Sequence, residues 1–111
     1  MWLLSPRKVV AALMHAATLP EEAFSGFRAV AIPGVTLSVA DMVAALGRVA
    51  GTPVVNRLRY ERDPFIENII NRWATHFETP RGNAMGFERD ESMDDVVRAF
   101  IEDDLNGSFV S

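Results

Sequence analysis

Apolar positions along the chain recur in two rhythms. Val9, Val10, Leu13 and Ala17 repeat at helical spacing behind Ser5-Pro6, a side-chain cap followed by a proline whose missing N–H costs nothing at a first helical position. Leu19-Pro20 ends that helix. Val39, Met42, Val43, Leu46 and Val49 form a second stripe, opened by a capping-box pattern at Ser38 and Asp41 and closed by Gly51. Asp63-Pro64 opens a third helix, with Phe65, Ile66, Ile69, Ile70 and Trp73 on one side. Thr79-Pro80 opens a short helical turn ending at Gly86. Ser92 and Asp95 open a last helix carrying Met93, Val96, Val97, Phe100, Ile101 and Leu105, which Asn106-Gly107 closes ahead of a frayed tail.

Two segments follow the other rhythm. Phe27 to Ile32 is short, apolar and partly β-branched, stopped by Pro33-Gly34; Val55 to Glu61 alternates Val55, Leu58 and Tyr60 with Asn56, Arg57 and Arg59. The reading is therefore an α+β fold of about five helices around a two-stranded parallel βαβ unit with a right-handed crossover. Parallel strands need cover on both faces, so the first and last helices, or another domain, must supply it.

Composition narrows the function classes. With 111 residues, 49 % hydrophobic and 23 % charged, the chain is one globular domain, residues 1–111, and not a disordered or fibrous segment. The net charge is −4 and no basic cluster is present, which argues against nucleic acid and an anionic membrane surface. The absence of cysteine excludes disulfides, thiolate catalysis and cysteine-based zinc sites, and a reducing cytoplasm is the expected location. The apolar start Met1-Trp2-Leu3-Leu4 breaks at once into Ser5-Pro6-Arg7-Lys8, too short for a signal core or a membrane span.

Catalytic signatures are missing. Gly47 with Gly51, and Gly82 with Gly86, do not spell a phosphate loop and read as helix-end and turn glycines. His15 and His76 have no metal-ligand spacing. No G-x-S-x-G elbow surrounds a serine; Ser25-Gly26 and Ser92 have the sequence of a turn and a cap. Tyr60 has Pro64, not lysine, four residues on, and the carboxylates of residues 90–95 and 102–104 read as a solvated helix face. No catalytic, cofactor-binding or metal-binding residue is assigned. Two places stand out. Trp2, Ser5 and Arg7 put an aromatic ring and a cation around a helix start, suited to an anionic or hydroxylated ligand. Thr79 to Phe87 is dense in polar groups, with Arg81 its cation.

The order of these elements is familiar. Ser5-Pro6-Arg7-Lys8-Val9-Val10 with His15-Ala16, the Ile32-Pro33-Gly34 ending, Ser38-Val39-x-Asp41-Met42-Val43-Ala44-Ala45-Leu46 with Val49-Ala50-Gly51, and Met85-Gly86-Phe87 resemble the C-terminal part of extended short-chain dehydrogenases/reductases, the NAD-dependent epimerase/dehydratase family. Within it the chain is most similar to nucleoside-diphosphate-sugar epimerase-like proteins of the D-erythronate dehydrogenase type, over about residues 2 to 105. The resemblance implies the smaller, substrate-facing region of an NAD- or NADP-dependent oxidoreductase acting on a polyol acid or sugar-type substrate. Its glycine-rich cofactor loop and Tyr-x-x-x-Lys pair would belong to an N-terminal dinucleotide-binding domain. The chain alone is then catalytically silent, binds no cofactor itself, and uses Trp2, Ser5, Arg7 and Arg81 toward substrate. After the Gly-aromatic pair, Arg89 stands where the commoner epimerase pattern frequently has proline, which weakens any claim to a sugar-nucleotide substrate.

Two other classes fit the same residues. Trp2, Phe65, Trp73 and Phe109 form more large apolar surface than so small a fold can hide. That fits a stand-alone α+β protein-interaction module, or self-association into a homo-oligomer, as by exchange of the first helix. A metal-free small-molecule binder built on Trp2 and Arg7 is the third reading.

Overall fold

The computed structural model describes residues 1–108; Phe109 and the end of the tail lie outside the described residues. The described residues form two strands and six α-helices: β1 (Trp2–Leu3), α1 (Pro6–Thr18), β2 (Val35–Thr36), α2 (Val39–Ala50), α3 (Thr52–Val55), α4 (Pro64–Ile70), α5 (Pro80–Ala84) and α6 (Met93–Asp104). A short 3-10 turn at Glu21–Phe24 follows α1.

The helix starts follow their caps. Ser5 Oγ accepts from the Lys8 N–H at 3.2 Å, and the Ser38–Asp41 capping box is complete in both directions. Asp63 accepts from the Phe65 and Ile66 N–H groups, and Ser92 from that of Asp95. At the far end of α6, Asn106 (φ 54°) and Gly107 (φ 81°) turn left-handed, and the Gly107 N–H reaches the Ile101 carbonyl at 2.9 Å. Each of these is information local to a few residues, which is why the sequence carries it.

The sheet is different from the expected one. It is antiparallel, pairing Trp2 with Thr36 and Leu3 with Val35, and among the described residues there is no parallel βαβ unit. Residues 27–34 run as extended chain without a neighbouring strand. Two of their carbonyls are taken by a side chain instead: the Arg81 guanidinium donates to the Phe27 and Ala29 oxygens, and to that of Phe24 in the preceding 3-10 turn. Val55 belongs to α3, whose start is set by Pro53, and residues 59–63 carry no regular structure. Tyr60 is 77 % exposed, so the alternation there meets no core to face. A β-rich stretch becomes a strand only where a second edge accepts its hydrogen bonds, and these two stretches have none.

Packing is thin. α2 lies on α6 and α3, and α1 touches α6. Ala12, Ala45, Ala50, Phe87, Val97 and Ala99 make up the buried apolar core, mostly alanine. The largest side chain wholly removed from solvent among the described residues is that of Ser5. The molecule is a slab of 50 × 36 × 18 Å with a radius of gyration of 16.7 Å, against about 13 Å for a compact chain of this length. Its accessible surface is 7991 Å², whereas a compact protein of 12.3 kDa exposes roughly 6,100 Å². Among the described residues no helix is long and apolar enough to cross a membrane.

Candidate functional site

The Pro33-Gly34 turn brings β2 under β1, and Gly34 is what lets Trp2 lie flat there. A Cβ on Gly34 would stand 2.8 Å from the Leu3 carbonyl oxygen and equally close to the Trp2 ring. The indole then meets His76 edge-on at 5.6 Å and Phe77 at 5.5 Å. Together they bound a recess of about 360 Å³ that also takes in Thr36, Thr79, Asn83 and Arg89.

The polar groups around it are mutually placed. Thr36 Oγ1 donates to the Thr75 carbonyl at 2.7 Å and lies 3.5 Å from His76 Nδ1. His76 Nε2 faces Glu78 at 3.3 Å. Thr79 is buried, with its hydroxyl 3.5 Å from Asn83 Oδ1. Arg89 is exposed and donates to the neighbouring Asp90 carbonyl at 3.3 Å. An aromatic plate, several hydroxyl and amide groups and one guanidinium are the elements that hold small polyhydroxylated or anionic molecules.

Beneath the recess the chain is stapled. Asp90, buried, accepts from the Ser5 N–H at 2.8 Å and from Ser5 Oγ at 2.7 Å across 85 positions of sequence. His15 on α1 sits 2.6 Å from the Met85 carbonyl, its ring edge-on to Phe87 at 5.0 Å. Gly86 (φ 87°) fits below that imidazole, where a Cβ would come within 3.0 Å. The Met85-Gly86-Phe87 turn is thus a clasp onto α1, and every buried side-chain polar atom among the described residues has a partner.

The four residues expected at the site do not converge. Trp2 forms a wall of the recess. Ser5 is the buried cap on Asp90. Arg7 lies on the α1–α6 face, bonded to Glu102 at 2.6 Å and Asp103 at 2.8 Å. Those bonds, Asp103's first, raise its guanidinium well above the usual range and hold the Asp103 carboxyl below its usual 3.8. Arg7 borders a shallow depression of about 570 Å³ with Lys8, Glu88, Asp95, Arg98 and Glu102, where Lys8 pairs with Glu88 and Arg98 with Asp95, and with Arg89, which lines both this depression and the Trp2 recess. Arg81 serves the Phe24, Phe27 and Ala29 carbonyls and lies 5.6 Å over the Phe27 ring. The recess instead collects Thr36, His76, Thr79, Asn83 and Arg89, none of which sequence reasoning had assigned to substrate. The available signals were the polar density of residues 79–87 and the departure from proline at Arg89.

No protein-family model matches the chain. Its fold is that of a segment of an epimerase: the crystal structure of the nucleoside-diphosphate-sugar epimerase from Agrobacterium tumefaciens superposes with a TM-score of 0.90 at 34 % identity, over 96 % of this chain and 31 % of that one. Curated relatives extend the likeness to dehydrogenases. D-erythronate dehydrogenase from Cupriavidus necator is 43 % identical over 103 residues, 93 % of this chain and 32 % of its own length. The enzyme of the same name from Haemophilus influenzae is 31 % identical over 105 residues, 95 % of this chain and 33 % of its own length. The chain is a homologue of a one-third segment of the D-erythronate dehydrogenases.

Among the described residues no glycine-rich cradle for a dinucleotide is formed. Gly34 and Gly82 are pressed against the backbone of Leu3 and of Ala31, Gly47 lies within α2, and Gly51, Gly86 and Gly107 turn helix ends. No parallel sheet among the described residues offers the strand-end crevice in which such cofactors sit. Nor does any group of three His, Asp or Glu among them come together as a metal site.

Proposed function

We propose that this chain is the substrate-facing segment of a cytoplasmic NAD- or NADP-dependent dehydrogenase acting on a polyol acid, and that it is inactive by itself. The observation that carries the reading is its alignment, over nearly all its length, with one third of D-erythronate dehydrogenases. The recess at Trp2 is the place where substrate would lie against it. The cofactor and the groups that move hydride and proton belong to a dinucleotide-binding partner domain, since the residues here do not cradle a pyrophosphate. Of the four side chains first assigned to substrate, Trp2 faces it directly, while Ser5 and Arg81 hold the walls, and Arg7 stays with α6.

The thin core supports the same reading. The chain exposes about 1,900 Å² more than a compact protein of its mass, over twice what one partner contributes to a standard interface. Much of that surface is apolar. Leu13 and Met14 on α1 are 69 % and 67 % exposed, beside a groove of about 210 Å³ lined by Leu4, Val30 and Ile32. Covering such a face is what a second domain does. The same exposure also favours a second reading, an interaction module that closes the face with another protein or another copy of itself.

Calorimetric titration separates the two. The dehydrogenase-segment reading expects no heat from NAD⁺ or NADP⁺ and saturable binding of D-erythronate. Micromolar NAD⁺ affinity in this polypeptide would overturn the assignment of the cofactor to a partner domain.

A further inference from the structure

We propose that Arg89 is the carboxylate anchor of the Trp2 recess and that it selects acids over neutral polyols and sugars. The inference rests on the substrate-facing role proposed above and adds the residue that would meet the acid group. Arg89 is the one fixed cation among the residues that line the recess; His76 on the same wall is turned to Glu78. Among the described residues Arg89 pairs with no carboxylate, unlike Arg7, Arg28, Arg48, Arg62 and Arg98. Its one hydrogen bond among the described residues is the 3.3 Å contact from a single terminal nitrogen to the Asp90 carbonyl. The rest of the guanidinium fork therefore stays available for a planar two-oxygen acceptor.

The backbone that carries it is fixed. Asp90 is clamped by both donors of Ser5, which itself follows β1, so the arginine and the Trp2 plate are referred to one rigid junction. Across the recess stand the Thr36 and Thr79 hydroxyls and the Asn83 amide, partners for hydroxyl groups, with the indole face for the carbon chain. A short hydroxy acid supplies all three kinds of contact. A neutral polyol leaves the guanidinium unanswered. A phosphate dianion would lack a second cation and would meet Glu78 on the wall.

The two tryptophans make the test internal, because Trp2 lines the recess and Trp73 does not. The indole N–H signals of the ¹⁵N-labelled 111-residue chain are followed by NMR during titration with D-erythronate, erythritol, acetate or inorganic phosphate. The expected result is a saturable shift of Trp2 alone, with erythronate binding about tenfold more tightly than erythritol or phosphate. R89Q should bring erythronate down to the erythritol level, while R89K keeps part of the preference as a point charge without the fork. Equal binding of erythronate and erythritol, unchanged by R89Q, would overturn the anchor and leave the polyol-acid reading standing. Arg89-dependent binding of acetate with no preference for erythronate would keep the anchor and overturn the polyol-acid reading. No shift of Trp2 with any of these molecules would overturn both.

Discussion

The end of the molecule built on Trp2, Ser5 and Asp90 and the arm from Asn56 to Trp73 both carry large apolar side chains, yet only the first is knitted together. At the knitted end, contacts span 70 to 85 positions: Ser5 with Asp90, and His15 with Met85. In the arm the hydrogen bonds are local, from Asp63 to the first turn of α4 and from Arg62 to Glu67. Phe65 on α4 is 74 % exposed, and Tyr60, Ile66, Ile69 and Trp73 are exposed with it. Caps suffice to start a helix, but an apolar stripe becomes core only when something lies across from it. The difference marks which part of the chain is self-sufficient and which part is shaped for a neighbour.

The largest expected effect breaks the knitted end. Asp90→Ala leaves the Ser5 amide and hydroxyl buried without an acceptor and should lower the unfolding free energy by about 3 kcal/mol in urea titrations. Asp90→Asn keeps one acceptor oxygen and should cost about half as much. A loss below 1 kcal/mol for the alanine variant would mean that the junction is not what holds the recess.

A smaller effect comes from acid. Asp41 is held below the usual 3.8 first by the Ser38 N–H, Asp94 by the Arg48 guanidinium and Asp103 by that of Arg7. Each folded value lies below the unfolded one, so the stabilisation is complete above about pH 4 and is lost as pH falls through the folded values. The urea midpoint contributed by these groups should be level from pH 7 to 5 and drop below pH 4. At 1 M NaCl the drop should shrink, because the two arginine pairs are exposed and screened, while the capping bond of Asp41 remains.

The smallest effect on folding is expected in the arm. Ile66→Ser with Trp73→Ser should change the unfolding free energy by less than about 0.5 kcal/mol, since neither side chain is buried. The same pair should abolish any concentration-dependent association seen by sedimentation velocity. A cost of 2 kcal/mol or more would erase the contrast between the two regions.

What was legible in the sequence follows the same division. Ser5-Pro6, Ser38 with Asp41, Asp63-Pro64, Thr79-Pro80 and Ser92 with Asp95 announced five helix starts, because a cap is decided within four residues. The sheet was not legible: its strands are two residues long, and Trp2 pairs with Thr36 across more than thirty positions. The parallel strands expected at residues 27–32 and 55–61 failed because β propensity says nothing about whether an edge is present. At the site, Trp2 was legible as a large aromatic beside a helix start. Arg7 looked free in sequence, and only folding brings Glu102 and Asp103 to it from 95 and 96 positions away. Arg89 stood out in the sequence only as a departure from proline, since its lack of a carboxylate partner is a property of the folded surface.

Recombination tests the central claim most directly. D-erythronate dehydrogenase from Cupriavidus necator, with the third that matches this chain deleted, is mixed with this chain and supplied with NAD⁺ and D-erythronate. The account predicts no NADH from either polypeptide alone and steady NADH formation from the mixture, rising with added chain until the shorter enzyme is saturated. Absence of both turnover and a complex by sedimentation, with each polypeptide folded, would contradict it.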